Sequence, residues 1–351
     1  MNRLHHLQQT MVQNIKDNIT YTNLEFVLLD YNSNDGLSSY VRGHLSKYID
    51  SGLLKYYRTS DPSGYHVSHS RNMVFTLATG DVVCNIDADN FTGEGFAAYV
   101  NSNFVTKKDV FLSTHQISGI KNDVIGRICV RKQHFLHVNG YDEKMLHYGF
   151  EDIDLANRLE AAGLQQIQID SIDFLRAIEH PNSERTNNFN HAKAYQQLII
   201  NYISPYESEL LLLFDKQQYV RAKLIDNKNY NILHPNSKKK RSTKYKYSIR
   251  EPEWEKGVWE IRGKAIVFIK NRIPVLRLHS KSRNMYLSDL QEKYYLISSP
   301  YMKETILFFY NQLANRIIME RNFKHKNSIV NIDGFGGGVV TRNFEAGSIQ
   351  L

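Results

Sequence analysis

The sequence predicts an α/β protein with a mainly parallel sheet flanked by helices. Two observations predict it. Helix-period and strand-like segments alternate from residue 4 to about residue 170. Two of the apolar strands end on an acid, at Asp30 and Asp87, and in an open parallel sheet the carboxyl ends of strands are where a ligand crevice forms. The size allows this: 351 residues, 42% of them hydrophobic, can bury a real core and exceed the roughly 250–300 residues at which a single core stops growing. Two regions are therefore expected, 1–200 and 201–351.

Leu4, Leu7, Met11 and Ile15 recur at helical spacing. The run from Leu24 to Leu29 is a buried strand ending at Asp30. Leu37, Val41, Leu45 and Ile49 mark a second amphipathic helix that stops at Gly52, before a short strand from Leu53 to Tyr57. A third helix, near Ser68 to Thr79, is closed by Gly80. Asp81 to Ile86 is the next strand, ending at Asp87. Doubly wound nucleotide-binding domains normally open on a strand, whereas this chain opens on a helix; the first strand either lies upstream of Met1 or is replaced by another segment. Beyond residue 190 the pattern predicts an α+β accessory region. It has a long helical stretch through Leu213, a basic loop, strands at Lys264 to Ile269 and Ile273 to Leu278, and a helix from Lys303 to Glu320. Gly334, Gly336, Gly337 and Gly338 lack the spacing of a phosphate loop and predict a turn or tail.

Lysine and arginine number 44 against 36 acids, a net charge of +8. Part of the excess is one run, Lys238, Lys239, Lys240, Arg241, Lys244 and Lys246. It reads either as a solvated loop or as a peripheral contact with an anionic membrane; no specific nucleic-acid module is recognisable. Cys84 and Cys129 both lie in apolar runs and read as small buried hydrophobes, which fits a reducing, cytoplasmic location. No apolar run approaches the roughly 18 residues of a spanning helix, and the amino terminus lacks a signal-peptide layout.

The chemistry gathers in three segments. In Asp87-Ala88-Asp89 the two carboxylates are two residues apart, so in an extended chain both can face one divalent cation. Oxygen ligands suit Mg²⁺ or Mn²⁺ bridging phosphates. Tyr148-Gly149-Phe150-Glu151-Asp152-Ile153-Asp154-Leu155 runs into a helix that ends at Gly163. Acids in a first turn favour the helix dipole, and a carboxylate there can also serve as general base to a hydroxyl within about 3 Å. Asp30-Tyr31-Asn32-Ser33-Asn34-Asp35-Gly36 is a polar turn after a strand.

Together these segments resemble the GT-A nucleotide-diphospho-sugar transferases of the family 2 type over residues 1 to about 190. Tyr148 to Leu155 resembles in particular the acidic segment of β-1,4-galactosyltransferases and polypeptide N-acetylgalactosaminyltransferases, with Tyr148 standing where those enzymes usually have tryptophan. Asp30 to Gly36 looks like the family's Asp-x-x-Ser-x-Asp-Gly turn, and Asn2 to Leu7 resembles the Asn-Arg-x-x-His-Leu of galactosyltransferases. The resemblance implies a Mn²⁺ or Mg²⁺ site of Asp89 and His180, with Asp87 at the ribose or a metal-bound water. It implies Asp152 as catalytic base, with Glu151, Tyr148 and Gly149 on the acceptor side. Asp30 would accept the uracil N–H, Ser33 and Asp35 would shape the nucleoside turn, and Arg71 and Arg3 would reach the diphosphate.

The expected reaction is inverting transfer of a hexose, galactose or an N-acetylhexosamine, from a UDP-sugar to a hydroxyl of a glycan or other acceptor, in glycan or polysaccharide synthesis. A sugar-phosphate nucleotidyltransferase would show a glycine-rich loop with a basic residue after the first strand, and none is visible. A noncatalytic glycan- or membrane-binding protein is the reading from another class.

Overall fold

The computed structural model describes residues 1–114, 124–189, 194–204, 207–225, 255–325 and 329–351. The basic run Lys238 to Lys246 lies outside the described residues. The chain forms two compact units, Met1–Phe189 with Ala314–Leu351, and Asn190–Leu313. The division expected from sequence, 1–200 and 201–351, differs from this because the last stretch of chain returns to the first unit.

In the first unit, strand Phe26–Tyr31 pairs in parallel with Leu54–Thr59. The crossover between them is helical from Leu37 to Asp50, with a π turn at Val41–Leu45. Leu37, Val41 and Leu45 pack with Leu7, Met11 and Ile15 of helix Leu4–Asn18 as the period predicts, whereas the last buried place goes to Tyr48 and the expected Ile49 is only partly buried. Val339–Arg342 joins the same sheet antiparallel to Leu54–Thr59, and Ile349–Gln350 pairs with it in turn. The glycine cluster leads into that strand; Gly336 has φ +62°, and a Cβ there would lie 2.9 Å from the carbonyl carbon of Asn72.

A second sheet has the order Val82–Cys84, Cys129–Arg131, Val110–Ser113, Gln165–Gln168. Its first two pairings are antiparallel and its last is parallel. The sheets are thus mixed where the alternation of elements predicted a mainly parallel arrangement: a strand that doubles back needs no crossover helix and leaves no mark in the helix–strand rhythm. Asp30 lies within a strand of the first sheet, whereas Asp87 follows a strand of the second. Helix Val67–Leu77 ends on an extended Ala78 rather than at Gly80. Helix Glu151–Ala161 packs Leu155, Ala156 and Leu159 against Phe75, Phe111, Val130 and Tyr141 beneath the second sheet.

The second unit is a closed barrel of eight antiparallel strands, from Tyr195–Ser204 to Lys293–Leu296, which pair with each other to close it. The helical stretch expected through Leu213 is instead two of its strands, Tyr195–Ser204 and Glu207–Phe214. The reason is burial on both faces. Ile199, Leu211 and Leu213 pack with Phe268, Leu278 and Tyr294, while Leu198, Ile200, Leu210 and Leu212 pack with Ile297 and Tyr310. A run buried on both sides loses the two-residue alternation that marks a strand. Among the described residues no helix is long and apolar enough to cross a membrane.

Candidate active site

After strand Val82–Cys84 the chain is held by Asn85, whose amide donates to Asp87 Oδ1 at 2.9 Å and to the Gly126 carbonyl at 2.9 Å. Asn90–Phe91 then pairs antiparallel with Arg176–Ala177, and the Ile178 amide donates to the Asp89 carbonyl at 2.8 Å. That short ladder brings His180 opposite Asp89. His180 Nε2 lies 2.7 Å from Asp89 Oδ2, and both side chains are nearly closed to solvent. Burial, then the charge of Asp87, push the Asp89 carboxyl above its usual range against the pull of His180.

Arg71, on helix Val67–Leu77, is the hub of the second cluster. Its guanidinium donates to Asp152 Oδ1 at 2.6 Å, to Glu151 Oε1 at 3.3 Å and to Asp87 Oδ1 at 3.0 Å. Glu151 and Asp152 open helix Glu151–Ala161, and Gly149 (φ 92°) and Phe150 (φ 68°) turn the chain into it. One buried cation therefore faces three carboxylates. Burial would raise Asp87, but Arg71 and the Asn85 amide hold it below the usual carboxylate range. Asp152 is raised by burial in spite of Arg71. Glu151 is pushed up to about 8 by burial and by Asp152, and among the described residues its buried Oε2 has no hydrogen-bond partner.

At the amino-terminal end the expected nucleoside turn is knit to Asn2 and Leu4. The Leu4 amide donates to Asp35 Oδ2 at 2.8 Å, the Asn2 amide to Ser33 Oγ at 3.0 Å, and the Asn34 amide to Asn2 Oδ1 at 2.8 Å. Asp30 is fully buried, with the Ser33 amide on Oδ1 and the Tyr56 hydroxyl on Oδ2, both at 2.8 Å. Arg3 faces Glu184, at 3.1 Å from Oε2, and so ties this turn to the segment after His180. Tyr148 receives a hydrogen bond from Arg185 at 3.0 Å.

Two family models match the chain. The one described as Glycosyl transferase family 2 matches residues 2–128, and the one described as N-terminal domain of galactosyltransferase matches residues 118–193. The chain carries glycosyltransferase-family domains, matched between residue 2 and residue 193.

Similar solved structures include a Drosophila β1,4-galactosyltransferase 7 mutant in complex with manganese, UDP-Gal and xylobiose, 16% identical, with a TM-score of 0.31, covering 58% of this chain and 93% of that one. The xylobiose complex of the Drosophila catalytic domain is 17% identical, with a TM-score of 0.29 and coverages of 58% and 93%. GalNAc-T7 with UDP, GalNAc and Mn²⁺ is 11% identical, with a TM-score of 0.41 and coverages of 86% and 78%. A search of curated proteins gives no match.

Of the site residues expected from sequence, the glycosyltransferase domain brings Asp89 to His180, and Arg71 to Asp87, Glu151 and Asp152. It does not bring Asp87 onto His180: its carboxylate turns to Arg71 and Asn85. Three further residues escaped the sequence reading. Asn85 aims Asp87, Glu184 holds Arg3, and Gly126 leaves room for the cluster, since a Cβ there would lie 2.6 Å from both an Arg71 guanidinium nitrogen and Asp87 Oδ2. Gly126 stands before an apolar strand, a place where glycine is unremarkable, so only the fold gives it meaning.

The raised Glu151 carboxyl makes a testable statement about stability. Its folded state keeps a proton that the unfolded chain releases near 4.5, so its contribution is complete below that pH and is lost as pH rises through about 8. Glu151→Gln has no proton to lose. Its melting temperature relative to the wild type is expected to climb between pH 5 and pH 8.5; a difference that stays constant would mean that Glu151 is already ionised at the lower pH.

Proposed function

We propose that the domain transfers a hexose, galactose or an N-acetylhexosamine, from a UDP-sugar to a hydroxyl of a glycan acceptor, with inversion and with Mn²⁺ or Mg²⁺ as cofactor. The observation that carries this is the meeting of His180 Nε2 and Asp89 Oδ2 at 2.7 Å beside the Arg71–Asp152 pair. An imidazole nitrogen and a carboxylate oxygen converging in a buried place fit a divalent cation of this class. Held by Asp89 and His180, with Asp87 alongside, such a cation would supply positive charge to the leaving diphosphate.

The chain's own groups do the rest. Arg71 fixes Asp152 through Oδ1, and the other oxygen takes the proton from the attacking acceptor hydroxyl. Glu151, kept neutral by its burial, holds the acceptor through a hydrogen bond that an ionised carboxylate could not donate. Tyr148 and Gly149 line the acceptor side. Arg3, Asp30, Ser33 and Asp35 shape the nucleoside end, where the internal hydrogen bonds of Asp30 and Asp35 keep the turn closed before uridine arrives. A single displacement with the base on the face opposite the diphosphate inverts the anomeric carbon.

The test is a panel of UDP-galactose, UDP-N-acetylgalactosamine, UDP-N-acetylglucosamine and UDP-glucose against p-nitrophenyl glycosides, with added Mn²⁺ or with EDTA. Transfer is expected to need the cation. His180→Ala should raise the Mn²⁺ requirement by at least the ~10–100-fold that loss of even an outer-shell partner brings. Transfer indifferent to EDTA sinks the cation site. A product of retained configuration removes Asp152 as base.

A further inference from the structure

The turn that delivers Glu151 and Asp152 is held from far along the chain. Asn315, fully buried in the last part of helix Pro300–Lys324, receives the His147 amide on Oδ1 at 3.2 Å. Its Nδ2 donates to the His147 carbonyl at 2.7 Å and to the Gly149 carbonyl at 2.8 Å. The next residue, Arg316, sets its guanidinium 5.9 Å from the centre of the Phe150 ring. One heptad on, and so on the same helix face, Asn322 donates to Asp142 Oδ2 and Asp154 Oδ1, each at 2.9 Å.

Phe150 is the residue that needs such help. It takes φ 68°, a conformation that strains a bulky side chain and persists only where surrounding contacts impose it. Asn315 holds the residue before it, Gly149, and Arg316 faces the Phe150 ring. Tyr148 sits between the two backbone groups that Asn315 holds, and Glu151 follows the strained residue directly.

We propose that Asn315 is a positioning residue for the acceptor: through His147 and Gly149 it holds Tyr148 and the turn that presents Glu151 and Asp152. This rests on the transferase reading above. It also assigns a part in the site to a segment that sequence alone placed in an accessory region.

The test compares the full-length wild type with Asn315→Ala and Asn315→Asp. Both variants are expected to bind UDP with Mn²⁺ within twofold of the wild type, and to raise KM for the best p-nitrophenyl glycoside of the panel by about tenfold. Aspartate has the shape of asparagine but would turn a carboxylate onto two carbonyl oxygens, so it should do no better than alanine; wild-type kinetics in Asn315→Asp would overturn the proposal. Equal losses of UDP binding and of transfer would also overturn it, because they mark a general structural role. Amide hydrogen exchange supplies a reading that needs no turnover. Exchange at residues 147–152 should rise about tenfold in Asn315→Ala, with Val82–Cys84 unchanged. No rise, or a rise spread over the whole unit, overturns the proposal. If the wild type transfers nothing, the transferase reading fails by itself while the exchange result still decides what Asn315 does.

Discussion

Asp152→Asn is expected to lower the rate of transfer by about 10²–10⁴-fold, the usual worth of a positioned general base, while UDP affinity stays near that of the wild type. Asparagine keeps an oxygen for the Arg71 guanidinium, now 2.6 Å from Asp152 Oδ1, so the cluster can remain assembled while the proton acceptor is gone. The same assignment fixes the direction of a pH profile. Asp152 is raised by burial, so transfer should fall on acidification with a midpoint above the ordinary carboxylate range. Single-turnover rates from the best UDP-sugar, measured across pH for both proteins, decide it. A variant within tenfold of the wild type would require another base.

Arg71→Met should have the largest effect on stability. The guanidinium is buried against Glu151 and Asp152 and reaches the partly exposed Asp87, and removing it leaves the two buried carboxyl groups without their cationic partner. Breaking a buried pair in this way costs about 3–5 kcal/mol. The loss should be greatest at alkaline pH and shrink on acidification, because protonation discharges the carboxylates that Arg71 now neutralises. Urea unfolding at pH 8 and pH 5.5 reads both parts. A loss below about 1 kcal/mol, or one that does not change with pH, would show that the cluster relaxes without its cation.

The contrast between what was legible and what was not follows from the range of each interaction. Leu7, Met11, Ile15, Leu37, Val41 and Leu45 announce their burial through spacing alone, and all of them lie in one core. Asp87, Asp89, Glu151 and Asp152 were visible because their neighbours in sequence carry the pattern. Which charge meets which could not be read that way. Arg3 turns to Glu184, and Asp87 turns to Arg71, through contacts that no local motif encodes. The barrel strands at Leu198–Ile200 and Leu210–Leu213 were hidden for a different reason, since burial on both faces erases periodicity. Asn315 shows the limit most plainly: an asparagine in a helix, 168 residues from His147, means nothing until the helix is docked.

The returning strand Val339–Arg342 has a consequence for how the protein is made. Leu54–Thr59 leaves the ribosome early, but the neighbour on its far side is synthesised only after the barrel. During that interval one edge of the transferase sheet stays open while roughly 280 residues, those of the barrel among them, are added at about 5–20 residues per second. Exposed strand edges invite mispairing. Translation speed, and any holding factor that shields Leu54–Thr59 for those seconds, therefore bear on the yield of active enzyme.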